Sequence, residues 1–288
     1  MSEKVLLTPA ELAAMPPAST VIIDTRNPDA YAAGHIPGAV NVHDIFTHLA
    51  MSTPDAIDEL REKFAASFGQ AGLSGAQTAV CYEESMNSGF GQSCRGYFLL
   101  KFMGYPQARV LHGGLLAWKA AGMEVTMEVP PIEAKSFPLT DAGREMMLDR
   151  DDMLAALSQE SIVKLDVRDA DEWIGESSSP YGPDFCPRKG RIPGSRWIEW
   201  YRLMKPSAAG PVFKSKNEIL AECASVGVTP ASTVYLFCFK GARASNSLVA
   251  LKEAGITDVR LYFGSWNEWS RDDTLPIETG LPFATAAE

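Results

Sequence analysis

The sequence predicts an α/β protein built from two tandem copies of one domain, each a mainly parallel sheet flanked by helices. Three observations predict it. First, the chain repeats itself. Residues 20–42 read "TVIIDTRNPDAYAAGHIPGAVNV" and residues 161–198 read "SIVKLDVRDADEWIG…GRIPGSRWI", each an apolar run, Asp-x-Arg, a polar segment, then Ile-Pro-Gly and a small residue. A second pair follows, "TAVCYEES…SCRGYFLLKFMGYPQARVLHGGLLAWKAAG" from residue 78 and "STVYLFCFKGARASNSLVALKEAGITDVRLYFGSWNEWSRD" from residue 232. Matching elements in the same order mean a duplicated domain and not a short-period solenoid. Second, each half alternates short apolar runs with helix-like segments, the pattern of strands joined through helices. Third, 288 residues is about twice a usual domain, and the proline-rich stretch "EVPPIEAKSFPLTDAG" (128–143) has no periodicity and reads as a linker. The expected domains are therefore 1–127 and 144–288.

Taken in order, the apolar runs before Asp24 and Asp166 place both aspartates at strand ends. Val234 to Phe237 is nearly all apolar, as a strand buried on both faces must be. Leu248, Val249 and Leu251 then recur at helical spacing in a segment starting near Ala244 and stopped by Gly255. The copies differ in two places. Arg26 to His35 spans nine residues and Arg168 to Arg191 spans 23, so the second copy carries a 14-residue insertion containing "SSSPYGPDFCPRK". Laying Thr78 on Thr233 puts Glu83 opposite Cys238, and the loop from Glu83 to Gln92 is four residues longer than that from Cys238 to Arg243.

A formal charge of −10 argues against nucleic-acid binding, which needs a basic face, and against an anionic membrane surface. The start, "MSEKVLLTPAELAAM", lacks a cationic region followed by an apolar core, so it does not read as a signal peptide. No run approaches the roughly 18 apolar residues of a membrane span. A soluble, cytoplasmic protein is expected. The five cysteines form no CxxC pair and no zinc-ligand spacing with the four histidines, so reduced thiols, no metal and no cofactor are expected.

One thiol stands apart. In "YLFCFKGARASNS" Cys238 ends a strand and precedes a helix, where open α/β sheets bind ligands. Loop N–H groups and the helix dipole there favour a thiolate. Lys240 and Arg243 add positive charge, and Gly241 lets the backbone turn tightly around an anion. The alternative is an inert, buried cysteine. No histidine or aspartate stands beside it in sequence, so the loop itself must activate it.

These residues resemble the two-domain rhodaneses, the thiosulfate and 3-mercaptopyruvate sulfurtransferases, over essentially the whole chain. "YAAGHIPGAVNV" is similar to the first rhodanese signature, and "YFGSWNEW" to the second except at Phe263. "CFKGAR" is similar to the six-residue active-site loop opened by the catalytic cysteine. The resemblance implies a catalytic second domain and a first domain lacking the cysteine, as Glu83 opposite Cys238 suggests. It implies that Cys238 takes the outer sulfur of a small anionic donor as a persulfide and passes it to a thiophilic acceptor such as cyanide, a thiol or a thioredoxin-like protein. It further implies that Phe239, Lys240, Gly241, Ala242 and Arg243 line the substrate site. Lys240 suits a doubly charged donor, and Phe239-Lys240 replaces the glycine and hydroxyl residue of mercaptopyruvate users, so thiosulfate is expected. Arg243 stands where two-domain members usually have threonine. The substrate-contacting arginine falls on Glu172, which leaves Arg188, Lys189 and Arg191, in a locally basic stretch with Arg196, Arg202 and Lys205, as candidates to replace it; Arg188 and Arg191 are the ones expected to bind substrate.

The remaining candidates read as structural. Asp24 and Asp166 are expected to pair with loop amides or the nearby arginine. "SGFGQS" (88–93) is a GxG without a P-loop lysine, read as an inter-domain loop covering the cleft. Cys186 is expected to be an exposed or metal-free bystander, with a thiol that resolves or receives a persulfide as the alternative. Cys81, Cys94, Cys223, Trp266 and Trp269 read as packing. Rival functions remain: a 3-mercaptopyruvate sulfurtransferase, a cysteine phosphatase or arsenate reductase, and a non-catalytic rhodanese-like binding module. The phosphatase loop needs five residues between cysteine and arginine, and Cys238 to Arg243 has four.

Overall fold

The structure, a computed structural model, describes residues 4–49 and 51–281. The first domain contributes strands β1 (Leu6–Leu7), β2 (Thr20–Asp24), β3 (Ala39–Asn41), β4 (Thr78–Tyr82) and β5 (Ala108–Leu111). They lie in the order β1-β5-β4-β2-β3 with every pair parallel. The second contributes β6 (Met147–Leu148), β7 (Ile162–Asp166), β8 (Arg196–Trp197), β9 (Met204–Lys205), β10 (Val212–Phe213), β11 (Thr233–Phe237) and β12 (Val259–Tyr262). Its sheet repeats the plan as β6-β12-β11-β7-β8, again all parallel, while β9 and β10 form a separate antiparallel ribbon. The register repeats too: Thr20 to Asp24 faces Thr78 to Tyr82, and Ile162 to Asp166 faces Thr233 to Phe237. Glu83 and Cys238 are thus each the first residue beyond the central strand, at the carboxyl edge where such sheets bind ligands.

Both Asp-x-Arg motifs are clips. Arg26 donates from its backbone N–H to Asp24 Oδ1 (2.9 Å) and from its guanidinium to Asp24 Oδ2 (2.6 Å) and the Gly34 carbonyl (2.8 Å). Arg168 repeats this with Asp166 (3.0 and 2.6 Å) and the Gly190 carbonyl (2.8 Å). Each clip ties a strand end to the chain preceding Ile-Pro-Gly, so the two carboxylates serve the fold.

Residues 128–143 carry no helix or strand, yet they are docked. Lys135 N–H donates to the Gly69 carbonyl (2.8 Å), the Phe137 ring packs on Phe68 and Tyr105, and Thr140 N–H donates to the Met103 carbonyl. The connection therefore runs over the first domain as a strap.

The helices that follow the central strands, Gln92–Phe102 and Ala242–Ala254, pack against each other across the domain boundary. Both are buried almost throughout, which explains why neither shows a clean polar face. Gly91 belongs to this contact: a Cβ there would lie 2.5 Å from Asn246 Cβ. Asn246 in turn donates to the Met86 carbonyl (3.0 Å). At the far side Glu268 accepts from Ser52 N–H (2.8 Å) and Oγ (2.6 Å). The carboxyl edge of the second domain's sheet is thus roofed by the first. No helix among the described residues is long and apolar enough to cross a membrane.

Candidate active site

Cys238 follows β11 directly, and the helix begins at Ala242, two residues earlier than the sequence pattern suggests. The turn between them is only three residues. It closes because Gly241 adopts the left-handed conformation (φ +86°) as the helix N-cap. Its N–H donates to Cys238 Sγ at 3.2 Å. A backbone donor and a helix N-terminus therefore converge on the sulfur, stabilising negative charge there.

The opposite side of the cysteine is pinned by the segment after β12. Cys238 N–H donates to Ser265 Oγ (3.2 Å), and Ser265 Oγ donates to the Tyr262 carbonyl (2.8 Å). The Cys238 and Phe239 carbonyls accept from Trp266 and Asn267 N–H (3.0 and 2.9 Å). Ser265 does this with φ +53°, a conformation unusual for a residue with a side chain. Its duplicate is Gly114 (φ +61°) beneath Glu83, whose carbonyl accepts from Leu115 N–H (2.9 Å). Sequence alone carried one signal for this role, a serine standing where the other copy has glycine.

Above the thiol lies a cavity of about 20 Å³, lined by Phe46, Phe90, Pro180, Tyr181, Cys238, Phe239, Lys240, Ala242 and Arg243. That volume holds about one water-sized guest. Lys240 reaches across it, donating from Nζ to the Phe46 carbonyl (2.9 Å) with the Phe46 ring 4.2 Å and the Tyr181 ring 5.4 Å away. Burial, reinforced by the nearby Arg95, pushes the Lys240 ammonium down to about 8. A larger cleft of about 310 Å³ lies elsewhere, between Ser52, Phe102, Asp149 and Arg260, and contains no residue of this loop.

The Rhodanese-like domain family matches the chain twice, over residues 8–121 and 149–272. The chain belongs to the rhodanese family. This rhodanese is 28% identical to the thiosulfate sulfurtransferase of Azotobacter vinelandii, covering 95% of this chain and 96% of that one. It is 29% identical to the sulfur carrier protein TtuD of Thermus thermophilus, covering 87% of each. Among solved structures it is similar to the anaerobic ergothioneine biosynthesis enzyme of Chlorobium limicola in complex with trimethyl histidine (27% identity, TM-score 0.77). The match covers 91% of this chain and 65% of that one, so the chain spans about two thirds of that enzyme's length. It is similar as well to a structure of EanB carrying a tyrosine-to-alanine substitution, in complex with ergothioneine covalently linked with a persulfide cysteine (27% identity, TM-score 0.78, covering 91% of this chain and 65% of that one). A sulfurtransferase of rhodanese type, with two α/β domains, follows.

Three expectations about the rhodanese's basic residues need correction. Arg188 does not line the cavity: its guanidinium donates to the carbonyls of Trp269, Ser270, Asp272 and Leu275, closing the end of the short helix Ser265–Trp269. Arg191 is also turned away, bonded to Glu278 (3.2 Å) and the Trp173 and Gly280 carbonyls, with its guanidinium 4.6 Å from the Trp173 ring. Glu172 does not leave a gap needing either of them. It holds Arg243 in a two-point pair (2.5 and 3.0 Å), and Asp169 adds a third contact at 3.1 Å. The loop supplies the arginine of this pair, and the helix Ala170–Ile174 supplies its acid. Burial opposes the charge on Arg243, but these carboxylates raise its pKa above the ordinary arginine value. Asp169, Asp171 and Glu172 bring carboxylate oxygens within 4.8 Å of one another, yet Arg243 already engages two of the three.

Other side chains in the site gave little sequence signal. The insertion proves to be a lid, setting Pro180 and Tyr181 over the cavity with the Tyr181 ring 5.0 Å from that of Phe239. Phe46 and Phe90 arrive from the first domain, Phe90 from the glycine-rich 88–93 loop. Cys186 is fully buried, not exposed, and burial pushes its thiol up to about 11. Burial likewise raises Cys81, Cys94 and, to about 11, Cys223. Trp266 and Trp269 are fully buried, their indole N–H groups donating to the Arg188 and Pro276 carbonyls.

Proposed function

We propose that the second domain transfers the sulfane sulfur of thiosulfate through a Cys238 persulfide to a thiophilic acceptor: cyanide, a small thiol, or the thiol of a thioredoxin-like protein. The carrying observation is the Gly241 N–H aimed at Cys238 Sγ beside Lys240. In the first half-reaction the thiolate attacks the outer sulfur of thiosulfate. The sulfur–sulfur bond of the donor breaks, a new one forms to Sγ, and sulfite leaves with the electron pair. The acceptor then attacks the outer sulfur of the persulfide, and the cysteine thiolate departs. No proton has to move between protein groups, which suits a loop with no histidine. Two half-reactions with one covalent intermediate give ping-pong kinetics. The persulfide's outer sulfur fits a cavity of about 20 Å³.

Phe239, Lys240, Gly241 and Ala242 form the donor-facing wall in this reading, with Lys240 meeting the anionic end. A second reading, 3-mercaptopyruvate as donor, is favoured by one observation. Arg243 is already neutralised by Glu172 and Asp169, which leaves Lys240 to meet a single carboxylate. Side-by-side steady-state kinetics decide between them. Thiosulfate is the better substrate by kcat/KM if the main reading holds, and Lys240→Ala raises its KM about tenfold, the weight of one charge-assisted hydrogen bond. The KM of the wild type rises as pH climbs through about 8, where Lys240 loses its charge, and that of Lys240→Ala stays flat. Preferred turnover of 3-mercaptopyruvate would establish the second reading instead.

A further inference from the structure

The first domain has no catalytic cysteine, yet one of its side chains stands behind the loop of the second. Arg95 lies on the helix Gln92–Phe102 and is fully buried. Its Nη1 donates to the Ile45 and Phe46 carbonyls (both 3.0 Å) and its Nη2 to the His48 carbonyl (2.8 Å). Among the described residues no carboxylate pairs with it, and its Nε has no partner. A buried guanidinium without a counter-ion is costly to the fold and calls for a reason. Duplication supplies none. Counted from the N-caps Gly91 and Gly241, Arg95 corresponds to Ser245, whose hydroxyl merely donates back to the Gly241 carbonyl (2.7 Å).

Two contacts carry Arg95 to the catalytic loop. Through the 45–48 strap it fixes the Phe46 carbonyl, and Lys240 Nζ donates to that same oxygen at 2.9 Å. Through its planar face it stacks 4.8 Å over the Phe263 ring. Phe263 lies against Gly241 so closely that a Cβ there would be 3.0 Å from the ring, and Gly241 is the residue whose N–H meets Cys238 Sγ. Of the other charged or titratable groups around the thiol, Arg243 is paired with Glu172 and Asp169, Lys240 is bonded to the Phe46 carbonyl and, among the described residues, to no carboxylate, and burial raises the Tyr181 phenol above its ordinary value.

We propose that Arg95 of the cysteine-less domain is the positioning residue of the Cys238 site, holding Lys240 in place through the Phe46 strap and adding to Lys240 a second positive charge, paired with no carboxylate, that favours anionic sulfur on Cys238. The inference rests on the reading of Cys238 as the sulfur carrier. It also gives the exception at Phe263 a function, since the ring is the surface on which Arg95 stacks.

The test is the pH profile of Cys238 alkylation by iodoacetamide, read by mass at that cysteine with Cys238→Ser as the blank, for wild type, Arg95→Gln and Arg95→Lys. Arg95→Gln moves the half-maximal rate upward by about one pH unit, roughly a tenfold loss at neutral pH. Arg95→Lys keeps the charge and the wild-type profile, but its compact ammonium cannot span the Ile45, Phe46 and His48 carbonyls as the guanidinium fork does, so its KM for thiosulfate rises about tenfold. A wild-type profile in folded Arg95→Gln, or a profile in Arg95→Lys displaced as far as in Arg95→Gln, overturns the proposal. Should Arg95→Gln fail to fold, Arg95→Lys decides: an unmoved profile with raised KM supports the role, a moved profile refutes it. A wild type whose alkylation depends on Arg95 but which takes no sulfur from thiosulfate would sink the donor reading and leave the role of Arg95 standing.

Discussion

Two loops of one ancestry sit at equivalent strand ends and handle negative charge in opposite ways. In the first domain Glu83 fills the loop with its own carboxylate, accepting from Gly89 N–H (3.0 Å) and Ser93 Oγ (2.8 Å). In the second domain Cys238 occupies that place, and the loop is shorter by five residues between strand end and N-cap, one more than the spacing to Arg243 suggests. A thiol with a single backbone donor, Lys240 and a small cavity leaves room for an incoming sulfur. The difference teaches that the strand end is an anion-holding place in both copies. It is occupied by the loop's own carboxyl group in one and opens onto a small cavity beside a thiol in the other.

Breaking the charge arrangement of the second loop has the largest expected effect. Arg243→Ala strands the buried Glu172 carboxylate, so stability falls by about 3 kcal/mol, measured by denaturant unfolding, and turnover drops with it. The double variant Arg243→Ala with Glu172→Ala recovers most of that stability, because neither charge is left alone. Failure of the double variant to recover would mean that Arg243 acts on the loop other than through Glu172.

The next effect lies in the lid. Tyr181→Ala opens the cavity and removes a ring contact worth about 1 kcal/mol, so a bulky aromatic thiosulfonate gains several-fold in kcat/KM relative to thiosulfate. Unchanged donor selectivity would show that donors reach Cys238 by a path that Tyr181 does not cover.

The smallest effect on turnover is expected in the silent loop, where the change is one of stability. Burial raises the Glu83 carboxyl from its usual value near 4.5 to about 7, against the pull of the Ser93 and Gly89 hydrogen bonds. The folded state therefore holds a proton there that the unfolded state releases, and stability falls as pH rises from about 4.5 to 7. Glu83→Gln removes this slope and is more stable than wild type at pH 8, by about 1–3 kcal/mol, and least so at pH 5. Parallel stability curves for the two proteins between these pH values would contradict the account of Glu83.

The sequence made some of this legible and hid the rest for physical reasons. Duplication, the Asp-x-Arg clips and the Cys238–Glu83 correspondence are patterns of neighbouring residues, so the fold and the place of Cys238 at the strand end could be read directly. Gly241 was legible because a glycine between a strand end and a helix start lets the backbone turn tightly. The destination of long side chains was not. Arg188 and Arg191 looked like substrate ligands because they are basic and near the insertion, but carbonyls of the 269–280 segment, with the Trp173 carbonyl and the Glu278 carboxylate for Arg191, take their guanidinium groups. Glu172 looked like a lost arginine because its partner Arg243 lies 71 residues away. Phe46, Phe90 and Arg95 belong to the other domain, and no local spacing announces a contact made across a domain boundary.

The central claim is that Cys238 carries sulfur, and peptide mapping by mass after a brief incubation with thiosulfate, without acceptor, tests it most directly. The account predicts one added sulfur atom on the peptide holding Cys238, absent from Cys238→Ser and removed by cyanide. A sulfur on the peptides of Cys81, Cys94, Cys186 or Cys223, or none anywhere while Cys238 is reduced, would contradict it.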